Sequence, residues 1–131
     1  MARLILDTSA LVADERGDRD AALGAIGDAD DVAIAALTLA ELRVGVLLAT
    51  DERRESRAAF VERVARVFVI EDYTEAVASA HGDLLAHVHR AGRPRGAHDL
   101  IIAATAIATD RILVTSDRRG FADLPGLTLA S

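Results

Sequence analysis

Two kinds of apolar pattern alternate along this chain. Short unbroken apolar runs read as buried strands, and longer stretches that are apolar every third or fourth residue read as helices. Arg3 to Leu6 is the first strand and ends at Asp7. A helical stretch starts near Ala10, breaks near Gly17 and resumes through Ile26. Val32 to Leu37 is the second strand, and Thr38 opens a helix to about Thr50. Asp51 to Arg66 is a charged helix whose inner stripe is Phe60, Val64 and Val67. Val67 to Ile70, β-branched and aromatic, is the third strand. Tyr73 to Ala91 is helical, with Val77, Ala80, Leu84, Leu85 and Val88 on one face, and Gly92 and Pro94 end it. Ala97 to Thr109 is apolar nearly all round and is expected to be buried. Ile112 to Thr115 is the fourth strand, with Leu127 to Leu129 a candidate fifth. Strands that alternate with helices and are apolar on both faces predict a parallel α/β sheet. In such sheets ligands collect beyond the carboxyl ends of the strands.

Composition narrows the chemistry. At 131 residues, 51% of them hydrophobic, the chain suits one domain over 1–131 with a real core. It has no Cys, which removes disulfides, thiolate zinc sites and thiol nucleophiles. All its basic residues are Arg. Without Lys, no P-loop lysine, Schiff base or lysine general base can operate. The formal net charge of −6 suits cation binding better than a nucleic-acid partner, although a few Arg beside a site can hold phosphate locally. No apolar run is long enough to span a membrane, and Asp7 interrupts the N-terminal run before it reaches signal-peptide length. A cytoplasmic protein is expected.

Four carboxylates stand where that sheet would gather ligands. Asp7 follows the first strand, where it could equally cap the next helix. Glu41 lies one turn into the helix after the second strand, where Thr38-Leu39-Ala40-Glu41 also fits a capping box. Asp99 opens the most buried helix on an apolar stripe with Ile102, Ala103 and Ala106. The helix dipole favours an acid there by only about 0.3–1 kcal/mol, little beside the cost of desolvating a charge. Asp117 follows the fourth strand, where an Asx turn or a pairing with Arg118 and Arg119 would also explain it. Together, three acids at or just beyond strand exits and a fourth opening a buried helix would share one sheet edge. Crowded carboxylates cannot all ionise without a counter-charge. With no Lys available, a divalent cation is the natural one, and oxygen-only ligands select Mg²⁺ or Mn²⁺ over zinc.

The segments Asp7-Thr8-Ser9, Leu39-Ala40-Glu41-Leu42, His98-Asp99-Leu100-Ile101-Ile102-Ala103 and Thr115-Ser116-Asp117, in this order and spacing, resemble the motif set of PIN-domain nucleases. Size and whole-chain match make the chain most similar to the VapC-type toxins of toxin–antitoxin pairs. The resemblance implies a five-stranded parallel sheet with helices on both faces. It also implies an Mg²⁺- or Mn²⁺-dependent endoribonuclease, a homodimer and a cognate antitoxin. By that analogy Asp7, Glu41, Asp99 and Asp117 hold the metal and act in catalysis, while Ser9 and Thr115 orient carboxylates or water. Hydrolysis by a metal-activated water needs no side-chain nucleophile, which suits a chain without Cys or Lys. One departure is Gly120: relatives often carry a further acid there, immediately before Phe121, and Asp123 lies at a different spacing.

Arg93, Arg95, Arg118 and Arg119 flank the expected site and are candidates for gripping RNA backbone. Arg53, Arg54 and Arg57 interleave with Glu52 and Glu55 and read as a solvated face. His87 and His89 point to different sides of a helix, and His98 reads as a surface or capping residue near Asp99. The helix from Thr38 is apolar on more than one face, which suggests a protein interface. Two rival functions are an inactive PIN-fold binding module and an aspartate-based phosphoryl-transfer domain. Receiver-type transfer needs a Lys that is absent, and the phosphatase pattern wants an acid where Ser9 stands.

Overall fold

A strand that is apolar on both faces needs cover on both, and the central strand here receives it, with every residue from Leu4 to Leu6 buried. The computed structural model describes residues 1–15, 27 and 29–130, and holds β1 (Arg3–Leu6), β2 (Asp31–Ala35), β3 (Val69–Glu71) and β4 (Ile112–Val114). All pair in parallel, in the order β3-β2-β1-β4. Ile5, in the central β1, lies opposite Ala33 on one side and Leu113 on the other. The segment expected as a fifth strand joins β4 through one parallel bridge, Leu113 to Leu129, with Leu113 N–H donating to Thr128 O and Ala130 N–H to Leu113 O, each at 2.9 Å.

The helices are α1 (Thr8–Glu15), α2 (Ala36–Leu47), α3 (Asp51–Val67), α4 (Glu75–Ala91) and α5 (Ala97–Ala108), followed by a 3-10 turn at Arg118–Gly120. Side chains alternate across a strand, so β1 serves two cores. Leu4 and Leu6 pack with Leu11, Leu42, Phe60 and Val64 from α1, α2 and α3. Ile5 and Leu113 pack with Val77, Leu84, Ile102 and Ala103 from α4 and α5. Thr105, buried on α5, donates its hydroxyl to Ile101 O at 2.7 Å, which allows a polar residue inside an apolar helix.

Several boundaries differ from expectation. α2 begins at Ala36, directly out of β2, with Ala35 as its N-cap. Thr38 is therefore inside the first turn. It is fully buried, its hydroxyl has no partner among the described residues, and Glu41 lies too far along the helix to complete a capping box. α3 runs through Val67, which is 73% exposed and does not belong to the inner stripe, and β3 starts only at Val69. Thr74 accepts from Val77 N–H and so starts α4 at Glu75 rather than Tyr73. Leu85 is half exposed, because it is turned by about 100° from the buried Leu84 on a 3.6-residue helix. The helical stretch expected to resume through Ile26 lies outside the described residues.

Near the starts of β1 and β2, the side chain of Arg111 is nearly fully buried. It donates to Leu4 O, Asp31 O and Asp31 Oδ1, each at 3.1 Å, and lies 3.6 Å from Glu71 Oε1. One guanidinium, on the residue just before β4, thus ties β1, β2 and β3 together. Among the described residues no helix is long and apolar enough to cross a membrane.

Candidate active site

The strand order reverses direction at β1: the chain moves outward through β2 and β3, then returns to place β4 on the other side. The crevice beyond the carboxyl ends of β1 and β4 is the switch point where such sheets bind ligands. Asp7 follows β1 there and continues the ladder, its N–H donating to Val114 O at 3.2 Å. Thr115 and Asp117 follow β4, Glu41 reaches in from α2, and Asp99 from the first turn of α5. A cleft of about 190 Å³ is lined by Asp7, Thr8, Ser9, Glu41, Asp99, Ile102 and Asp117. The four acids singled out in the sequence therefore line one cavity.

Asp7 is buried and held at both oxygens. Oδ1 accepts from Ala10 N–H at 2.9 Å, which caps α1, and from Ser9 Oγ at 2.7 Å; Oδ2 accepts from Thr115 Oγ1 at 2.5 Å. The capping and site readings of Asp7 thus hold together. Ser9 and Thr115 each commit their one hydroxyl proton to Asp7, so their 3.3 Å approach to each other is a contact between acceptors. As acceptors they take Ser116 N–H at 3.2 Å and Asp117 N–H at 2.9 Å respectively, which fixes the turn carrying Asp117. Burial raises the Asp7 carboxyl above its ordinary range, and the bonds from Thr115, Ala10 and Ser9 offset this only in part.

Glu41 accepts at Oε1 from Thr8 Oγ1 at 2.7 Å and faces His98 Nδ1 from Oε2 at 3.4 Å. Neither partner is signalled by spacing, since Thr8 lies 33 residues from Glu41. Asp99 also has its pKa raised, first by burial and then by the charges of Asp117, Asp7 and Glu41, against a lowering from His98. Two glycines border it. A Cβ at Gly96 would stand 3.2 Å from Asp99 Oδ2, and one at Gly120 would stand 2.9 Å from that atom and 3.1 Å from Asp117 Oδ2. Asp117 is exposed and accepts at Oδ1 from Gly120 N–H at 3.4 Å.

The arginines that flank the site in sequence surround the cleft rather than line it. None of Arg93, Arg95, Arg118 and Arg119 lines the acidic cleft. Arg95 donates to Arg119 O at 2.9 Å and Ala122 O at 2.8 Å, so it braces the turn after β4. With Arg93 it borders a separate groove of about 210 Å³. Arg53 and Arg57 instead line a groove of about 420 Å³ that shares Thr8 and Glu41 with the acidic cleft. It is the larger cavity, but Asp7, Asp99 and Asp117 line only the smaller one.

The donor set suits a hard divalent cation. It offers carboxylate and hydroxyl oxygens, no sulfur, and mutual repulsion that raises Asp99. Among the described residues no three acid or histidine side chains are close enough to cage an ion. Mg²⁺ does not require that. It keeps several waters and takes one or two carboxylates directly, and Asp99 and Asp117 present such a pair around the cradle at Gly120.

The profile of the PIN domain matches residues 4–127 of this chain. The chain belongs to the PIN domain family. Among its relatives, ribonuclease VapC5 of Mycobacterium tuberculosis is 40% identical over 124 residues, covering 93% of this chain and 87% of the relative. Ribonuclease VapC of Rickettsia bellii is 30% identical over 125 residues, covering 95% and 92%. Among solved structures, VapBC2 of Rickettsia felis, crystallised on a DNA fragment from its promoter, superposes with a TM-score of 0.86 at 25% identity over 98% of this chain and 97% of that one. In this PIN domain the matched region takes in β1 through the turn after β4, and so all four carboxylates.

Proposed function

We propose that this PIN domain is an Mg²⁺- or Mn²⁺-dependent endoribonuclease and the toxin of a toxin–antitoxin pair. The observation that carries the chemistry is the convergence of Asp7, Glu41, Asp99 and Asp117 on one cleft at the switch point. Relatives named ribonuclease, matching across nearly the whole chain, support RNA as the substrate class. The solved VapBC assembly supports an antitoxin as partner, and Val44, Leu47 and Leu48, exposed along α2, offer an apolar edge for an antitoxin segment or a second copy in a homodimer.

Each side chain then has a part. Asp7 is the fixed element, locked by Ser9, Thr115 and the start of α1, and it sets where the other carboxylates meet the substrate. Thr8 holds Glu41 in line with it. Asp99 and Asp117 form the adaptable side of the cleft. When bound, the cation lowers the pKa of water and offsets charge gathering on the phosphoryl oxygens. A carboxylate of the cleft would take the proton from the attacking water as its oxygen bonds to phosphorus, and the scissile phosphorus–oxygen bond would break with the leaving oxygen protonated from solvent.

The test is cleavage of a total RNA pool by the purified chain with Mn²⁺, with EDTA, and with Asp7→Asn or Asp99→Asn. The expected result is cleavage that needs the metal and is lost in both variants. A chain that neither cleaves RNA nor binds Mn²⁺ would instead be a PIN-fold binding module, a reading that Gly120 in place of an acid would then favour.

A further inference from the structure

Two of the four carboxylates in the cleft are held by strong direct bonds, and two are not. Ser9, Thr115 and Ala10 N–H hold Asp7, and Thr8 holds Glu41. Asp99 accepts no hydrogen bond among the described residues, and Asp117 has only the long 3.4 Å bond from Gly120 N–H. The place of these two side chains is therefore set by the backbone that carries them, the first turn of α5 for Asp99 and the turn after β4 for Asp117. Asp99 Oδ2 lies between those backbones, since a Cβ at Gly96 would stand 3.2 Å from it and one at Gly120 2.9 Å. Gly96 follows Arg95, and Gly120 follows Arg119, whose carbonyl Arg95 holds. The Arg95 guanidinium spans the two segments, with Nη1 donating to Arg119 O at 2.9 Å and Nη2 to Ala122 O at 2.8 Å. Phe121 anchors the turn through the core it shares with Leu100 and Ile102. Among the described residues, no hydrogen bonds but those of Arg95 join the loop before α5 to the turn after β4. Arg95 itself is partly buried and lies outside the acidic cleft.

We propose that Arg95 is a positioning residue for RNA cleavage: its paired bonds to Arg119 and Ala122 fix the gap between Asp99 and Asp117 from outside the cleft. This rests on the nuclease reading above and adds a residue that the reaction needs although it touches none of the reacting atoms. Two carboxylates that repel each other push apart the segments that carry them, and a tie between those segments resists. A misplacement of about 1 Å in such a pair can cost catalysis about a hundredfold. Arg suits the task because its planar fork offers donors at fixed spacing, one for each carbonyl. A Lys ammonium is a point charge on a flexible stem and would hold one carbonyl at a time. A grip on RNA backbone, the role the sequence suggests for Arg95, would act differently. Losing a grip weakens substrate binding, whereas losing a tie slows the chemical step on substrate that binds as before.

The experiment compares the full chain with Arg95→Met and Arg95→Lys in Mn²⁺, on a labelled oligoribonucleotide that spans a cut mapped in the RNA pool. Amide hydrogen exchange of the same chains is followed without metal or RNA. Arg95→Met is expected to lower kcat by about ten- to a hundredfold while KM stays within about twofold. Without metal, its Gly120 and Phe121 amides should exchange at least about threefold faster, with the β1 amides unchanged. Its melting temperature should fall by no more than about 5 °C, because Arg95 is only partly buried. Arg95→Lys should recover part of kcat, since it can keep one of the two bonds. Should Arg95→Met melt below the assay temperature, the Lys variant carries the comparison. A raised KM with kcat unchanged would overturn the proposal in favour of a grip on RNA. Full recovery in Arg95→Lys would overturn it in favour of charge alone. A lowered melt with kcat and KM unchanged would make Arg95 a stabiliser of the fold and overturn it as well. A parent chain that cuts no RNA would sink the nuclease reading and this proposal with it, a result distinct from an active parent whose Arg95→Met variant cuts equally well.

Discussion

Two hydroxyls do different work on the two best-held carboxylates. Thr8 orients Glu41, which is partly exposed and can rehydrate, so Thr8→Val is expected to leave stability nearly unchanged. It should slow RNA cleavage by about tenfold, the scale of one hydrogen bond to a charged group. Single-turnover cleavage beside a urea melt would separate the two effects. Thr115 serves the buried Asp7 and also receives Asp117 N–H. Thr115→Val should therefore lower the unfolding free energy by about 1–3 kcal/mol, the cost of leaving a buried acceptor unsatisfied, and a urea midpoint unchanged from the parent would refute this. The four acids could be read in the sequence because each follows a strand or opens a buried helix. The bond from Thr8 to Glu41 could not, because it joins different elements and no spacing encodes which strand exits become neighbours.

Elements were legible where the pattern was long and periodic, and less so at their ends. α5 matches expectation to within one residue because nearly every position is apolar and Gly96 precedes it. The join of β2 and α2 is not legible: Ala35 and Ala36 carry no turn signal, so the apolar run continues like a longer strand up to Thr38. The two apolar faces of α2 were visible in the sequence, and the structure assigns them. Leu42 and Val46 are buried, while Val44, Leu47 and Leu48 are exposed, Leu48 by 82%. Leu42→Ala is expected to cost about 2–5 kcal/mol of stability by opening a cavity under the sheet. Leu48→Ser should leave stability within about 0.5 kcal/mol of the parent, because that side chain already faces solvent. Comparing chemical denaturation of the two variants checks this division of the helix.

Across the whole molecule, the two edges of the sheet are built on opposite electrostatic terms. Near the starts of β1 and β2, the buried Arg111 is matched by Asp31, Glu71 and two backbone carbonyls, an arrangement that sequence reasoning missed because its partners lie 40 to 107 residues away. At the carboxyl ends, four acids line one cleft, and burial raises Asp7 and Asp99 with the neighbouring acids adding to it. A functional edge that disfavours its own charge is where local rules are expected to yield. The sign of the pH dependence follows. A carboxyl whose pKa is higher folded than unfolded binds protons more readily in the native state, so its contribution to stability is largest at low pH and is lost as pH rises through the raised value. Asp30, whose pKa is lowered by its bonds from Ala2 and Gly27 N–H, acts the other way, but only below the ordinary carboxylate range. Between neutral pH and that range, the metal-free chain should therefore melt higher as pH falls, and Asp99→Asn should both raise the neutral-pH melt and flatten the slope. Mn²⁺ should do at neutral pH what protons do lower down, stabilising by about 2.7 kcal/mol at a hundredfold excess over its dissociation constant. On the proposed reading protons and cation compete for the same oxygens, so that gain should shrink steadily as pH is lowered. Melts across a grid of pH and Mn²⁺ read this directly, and a metal effect that does not change with pH would mean the cation binds away from Asp7 and Asp99.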